Sequence, residues 1–162
     1  MTTAAQSPAQ QKFLATINTI ATAIGDKPLN AGLADWLNAQ YPANGKDFAQ
    51  LSNLIEQGDE EGWLCQREHG GVKFGRPVKP GAEAGRFSVD VVHMLPVKGP
   101  HHVHPQGEIG MIVPLEGSPH FDGMGPGWYV YEAGSAHHPT VTDGSVYVLY
   151  LLPEGAIEFT GK

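Results

Sequence analysis

His102, His104 and Glu108 fall in the stretch Gly99-Pro-His-His-Val-His-Pro-Gln-Gly-Glu-Ile-Gly110 with the spacing H-x-H-x3-E. In an extended strand, residues two apart project from the same face, so His102 and His104 aim at one point. A turn at Pro105-Gln106-Gly107 brings Glu108 back beside them. Further on, Gly134-Ser-Ala-His137 is a glycine turn that delivers a fourth donor onto another strand. The set His102, His104, Glu108 and His137 offers ligands suited to a divalent first-row transition metal with open positions, Fe, Mn or Zn among them. The competing reading is a polar loop with surface histidines. His101 and His138 adjoin ligand positions but face the other way on a regular strand, His93 reads as structural, and His69 and His120 read as turn and loop residues.

Positioning such a set requires a rigid frame, and the hydrophobic pattern supplies one. Ser7-Pro8 reads as a helix start, after which Phe13, Leu14, Ile17, Ile20, Ala21 and Ile24 recur at helical spacing up to Gly25 and Pro28. A second helix is expected from about Asn30 to Gln40, burying Leu33, Trp36 and Leu37. A third is expected from about Lys46 to Gln57, with Phe48, Leu51, Leu54 and Ile55 inward and Gly58 as its stop. After Gly62 the texture changes to strands. Trp63–Arg67 and Val72–Val78 flank a His69-Gly70-Gly71 hairpin turn. Arg86–Met94 alternates, with Phe87, Val89 and Val91 on one face and Ser88 and Asp90 on the other. Glu108–Pro114, Gly127–Tyr131, Ser145–Leu152 and Ala156–Thr160 complete the series. Eight to ten strands at short spacing predict a mainly β chain, a compact barrel or jelly roll. Residues 1–60 form a helical segment of two to three helices packed on a barrel of residues 61–162, one domain overall.

Composition narrows the partners. A formal charge of −7 with no basic stripe excludes nucleic acid. No run of eighteen apolar residues predicts a membrane span. The first residues lack a basic n-region, and Cys65 is the only cysteine; both fit a cytoplasmic protein. Exposed strand edges allow a homodimer.

H-x-H-x3-E followed by G-x2-H resembles the two cupin motifs, whose histidines and glutamate hold a metal inside a small β-barrel. The framing differs: Pro96, Leu115 and Pro126 stand where the cupin pattern has glycines, Glu132 where it has proline and Val141 where it has asparagine. A narrower resemblance rests on ordered blocks from Glu61 onward: Glu61-Gly-Trp-Leu-Cys65, Gly71-Val-Lys-Phe-Gly-Arg76, Phe87-Ser-Val-Asp-Val-Val92, Gly99-Pro-His-His-Val-His-Pro105, Phe121-Asp-Gly123, Gly134-Ser-Ala-His137, Pro139-Thr-Val-Thr142 and Leu149-Tyr-Leu-Leu-Pro153. Together they resemble the 4-hydroxylaminobenzoate lyase family. The resemblance implies a cupin-type barrel acting on a small aromatic carboxylate, converting 4-hydroxylaminobenzoate to 3,4-dihydroxybenzoate (protocatechuate) with release of ammonia in nitroaromatic catabolism. Glu108, His102 and His137 are then the candidate catalytic residues. Arg76 is the favoured carboxylate clamp because it lies in a family-like block; Arg67 and Arg86 are alternatives, and Tyr131, Tyr129 and Trp128 could stack an aromatic ring. A metal-dependent cupin dioxygenase and a non-catalytic small-molecule-binding cupin are the competing functions.

Overall fold

A computed structural model describes residues 6–161. Three helices come first: α1 (Pro8–Ile24), α2 (Ala31–Gln40) and α3 (Lys46–Glu61). Ser7 caps α1 by accepting from the Gln10 amide, and Asn30 caps α2 by accepting from the Leu33 amide. The third helix runs through Gly58, the expected stop, and ends at Gly62 in a left-handed conformation with φ 85°. Gly58 serves packing instead: a Cβ there would lie 2.4 Å from Leu64 and 2.7 Å from Trp63.

Ten strands follow: β1 (Arg67–His69), β2 (Val72–Val78), β3 (Phe87–Met94), β4 (Val97–Lys98), β5 (His102–His104), β6 (Glu108–Phe121), β7 (Gly127–Tyr131), β8 (Ser135–His137), β9 (Thr140–Pro153) and β10 (Glu158–Phe159). A seven-stranded sheet has the order β1-β2-β3-β9-β6-β7, with β4 beside β9, and a second sheet has the order β10-β5-β8. The expected mainly β, cupin-like jelly roll with a helical cap is therefore present. Its strands form a two-sheet sandwich, not a closed barrel, because the two hydrogen-bonded ladders do not join among the described residues.

Two strands run further than their composition predicts. β6 continues to Phe121 and β9 starts at Thr140, and the two pair past Pro114 and Gly117, with register shifts between Pro114 and Glu116 and between Gly117 and His120, the second of which takes up Pro119. These irregularities absorb residues that a regular ladder excludes. Conversely, Trp63–Gln66 forms no strand. The Leu64 carbonyl crosses β2 so closely that a Cβ on Gly75 would lie 2.0 Å from it.

The large sheet is apolar on both faces. Phe87, Val89 and Val91 of β3, Ile109, Met111 and Val113 of β6, and Tyr147, Leu149 and Leu151 of β9 pack against the helices. Val92 and Met94, Ile112, and Val146 and Val148 turn the other way into a second cluster with Phe121, Tyr129 and Val141. That second cluster lines the space between the sheets, and the site lies there.

Candidate metal centre and cavity

Antiparallel pairing of β5 with β8 sets His102 directly opposite His137, and His104 follows two residues along on the same face. The three Nε2 atoms form a near-equilateral triangle, 3.1 Å from His102 to His104, 3.1 Å from His104 to His137 and 2.9 Å from His137 to His102. Two of the rings have their tautomer set from behind. His102 Nδ1–H donates to the Pro100 carbonyl at 3.2 Å, and His137 Nδ1–H donates to the Asp122 carboxylate at 2.6 Å. A neutral ring that donates through Nδ1 presents a bare lone pair at Nε2. Burial first, and the neighbouring imidazoles second, push His102 down to about 4 and His104 down to about 3, so both are neutral at pH 7.

Lone pairs this close repel unless a cation sits among them. Bonds of about 2.1 Å at right angles would separate three nitrogens by about 3.0 Å, close to the spacing seen. The donor set therefore fits a divalent transition metal held on one face with positions left open. Asp122 completes the support. Burial pushes its carboxyl up, but bonds from His137, the Tyr131 hydroxyl at 2.6 Å and the Thr140 amide at 2.9 Å outweigh that and keep it ionised.

Glu108 stands one contact away. Gly107 makes the turn at φ 90°, where a Cβ would lie 2.7 Å from the Tyr131 carbonyl, and Glu108 opens β6 immediately after. Its Oε2 accepts from the Tyr129 hydroxyl at 2.7 Å, and its Oε1 lies 3.6 Å from His104 Nε2. The carboxyl is buried, and burial pushes it up to about 7 despite the Tyr129 bond. Gly110 permits this pair: the Tyr129 ring lies across it, within 2.0 Å of where a Cβ would be.

A cavity of about 370 Å³ opens onto these groups, a size suited to a small aromatic molecule. His102, Glu108, Tyr129 and His137 face it, and apolar walls come from Phe74, Val92, Phe121, Val148, Ile157 and Phe159.

The family described as PnbB, 4-hydroxylaminobenzoate lyase, matches residues 15–159. The chain belongs to the 4-hydroxylaminobenzoate lyase family. A 4-hydroxylaminobenzoate lyase from Pseudomonas putida is 31% identical over 153 residues, 84% of this chain and 87% of that protein. One from Nocardioides sp. (strain LMS-CY) is 32% identical over 136 residues, 78% of this chain and 80% of that protein. Among solved structures, one reported under "DMSP lyases RdDddP and RnDddQII" aligns over 94% of this chain and 93% of its own, with a TM-score of 0.52 and 14% identity. That likeness extends to the fold alone.

In this member of the 4-hydroxylaminobenzoate lyase family, the histidines and Glu108 picked out by spacing do converge, with the three imidazoles as the tight group and Glu108 beside them. The arginines lie elsewhere. Arg76 donates to both Asp90 oxygens at 2.8 and 3.3 Å and to the Gly155 carbonyl, and Arg67 is exposed on β1. Neither is among the residues lining the cavity. Tyr131 packs edge-on against His137 at 4.9 Å between ring centres and binds Asp122. His101 and His138 face away from the triad and pack on each other at 4.9 Å. Two roles escape a reading of spacing: Asp122 looks like a turn residue yet fixes His137, and Tyr129, read as a ring-stacking candidate, holds Glu108. His69 is exposed, as expected, at the rim of the cavity. The Phe121-Asp-Gly block was the one available signal for Asp122.

Proposed function

We propose that the chain converts 4-hydroxylaminobenzoate and water to 3,4-dihydroxybenzoate and ammonia in the cavity between its sheets. The observation that carries this reading is Glu108, a buried carboxyl with one oxygen held by Tyr129 and the other turned to the imidazole triad. The reaction is a Bamberger-type rearrangement. The N–O bond breaks with its electron pair on oxygen, which leaves as water after taking a proton. A water adds to the ring at C3 and gives up a proton. The imine at C4 is hydrolysed, ammonia leaves, and loss of the C3 proton restores the aromatic ring. One water is consumed in total, with no net redox change.

Glu108 suits both proton transfers. Protonated, Oε1 donates to the departing hydroxyl; ionised, it accepts the proton of the incoming water. Tyr129 holds Oε2 so that Oε1 stays aimed at the triad. Asp122 fixes the His137 ring, and the apolar walls take the aromatic face while excluding bulk water. A divalent transition metal held by His102, His104 and His137, with Glu108 in reach as a further ligand, would supply Lewis acidity toward the N–O oxygen.

Turnover under strict anaerobiosis tests the reading. Stoichiometric ammonia and 3,4-dihydroxybenzoate without O2 are expected. Product formation only with O2 would replace it with a dioxygenase, and binding without any turnover would leave a small-molecule-binding cupin.

A further inference from the structure

Resting on the substrate reading above, the structure assigns Tyr150 as a specificity-determining residue whose hydroxyl donates a hydrogen bond to the substrate carboxylate. Tyr150 lies on β9 and lines the cavity. In register it sits between Asp90 of β3 and Gly110 of β6, and Gly110 in turn faces Tyr129 of β7. Asp90, Tyr150, Gly110 and Tyr129 therefore form one row on this face of the sheet, with Tyr150 and Tyr129 lining the cavity.

Every other polar side chain in or behind that row is engaged. Tyr129 binds Glu108, and Asp90 is held by Arg76 and by Ser88. The Tyr150 hydroxyl makes no hydrogen bond with any described residue. Tyr150 is partly open to the cavity, so its hydroxyl is free to donate to a ligand bound there. Among the described residues the cavity lining holds no lysine or arginine, so neither a guanidinium nor an ammonium on the wall clamps the carboxylate. A phenol suits that setting because it donates without bringing a charge. The carboxyl nearest in the row does not oppose an anion, since Arg76 neutralises Asp90. The expected clamp is thus displaced from Arg76 itself to Tyr150, with the Arg76–Asp90 pair behind it.

Tyr150→Phe keeps the ring and removes only the donor. Calorimetry with 4-aminobenzoate and with 4-methylaniline, a neutral analogue that lacks the carboxylate, reads the effect without turnover. In the variant, 4-aminobenzoate is expected to bind about tenfold or more weaker, and 4-methylaniline within about twofold of the parent. KM for 4-hydroxylaminobenzoate should rise by a similar factor while kcat and metal content hold. An equal loss for both ligands, no loss for either, or no binding of 4-aminobenzoate by the parent would overturn the assignment. If the parent binds 4-aminobenzoate through Tyr150 but turns over no hydroxylaminobenzoate, the reaction fails and the carboxylate site stands.

Discussion

Glu108 responds to pH in two ways that can be measured apart. In the unfolded chain it titrates near 4.5, and in the fold burial holds the proton up to about 7. Between those values the folded state keeps a proton that the unfolded state has released, so stability falls as pH rises from about 4.5 to 7 and stays low above. Glu108→Gln removes that titration. In chelator-treated protein it should match the parent at pH 4 and exceed it at pH 8 by on the order of 3 kcal/mol in urea unfolding. The same substitution acts on activity in the opposite sense. With protonated Glu108 as the acid, kcat/KM should fall as pH rises through about 7, and Glu108→Gln should lose about 10²- to 10⁴-fold. Gly110→Ala probes the same group from behind. A Cβ there lies 2.0 Å from the Tyr129 ring, so the phenol must move off Glu108. A stability loss of about 1–3 kcal/mol and a fall in kcat are expected, with metal content unchanged by elemental analysis. The histidines and Glu108 were legible because a strand's two-residue period makes H-x-H a convergence in itself. The roles of the Tyr129 and Tyr150 hydroxyls were not, since only cross-strand register shows what a phenol on an apolar strand reaches.

At the scale of elements, α2 does more than cover the sheet. Asn38 donates to the Trp128 carbonyl and accepts from the Trp128 amide, both at 2.9 Å, so one side-chain amide pairs with the backbone of β7 as a further strand would. β7 is an edge of the seven-stranded sheet, and such edges invite pairing with other chains. The Trp128 indole also donates to the Tyr41 carbonyl at 3.0 Å. Asn38→Ala should cost about 1–3 kcal/mol in urea unfolding by stranding both backbone groups, and light scattering on warming should show earlier association. Helix positions were legible from apolar spacing, and the Ser7 cap from the Ser-Pro pair. The docking was not, because Asn38 in a helix reads as an exposed polar residue. The extension of β6 past Pro114 was equally hidden, since strand breakers signal an end and the bulges that tolerate them exist only in the paired sheet.

At the scale of the molecule, the three histidines of the candidate metal site come from the small sheet and Glu108 from the large one. A bound metal therefore adds its binding free energy to the folded state at the seam between the sheets. Chelation should lower Tm, re-addition of the metal should restore it, and His104→Ala should show the low Tm with or without metal. His69→Ala, at the cavity rim, should keep both metal and Tm. The overall class was legible because alternation and short turns allow few architectures; the open seam between two ladders was not, as it depends on which strands fail to pair. The alternation along β9 has a further consequence. Tyr147, Leu149 and Leu151 belong to the helix-packed layer, whereas Val146, Val148 and Tyr150 turn to the other face, where Val148 and Tyr150 line the cavity. Neighbouring codons of one strand thus answer to separate selective pressures. Descendants of such a chain can exchange cavity residues and acquire new substrates while the adjacent positions keep the fold, and a library confined to the cavity-facing positions of β9 should yield mostly folded proteins of altered selectivity.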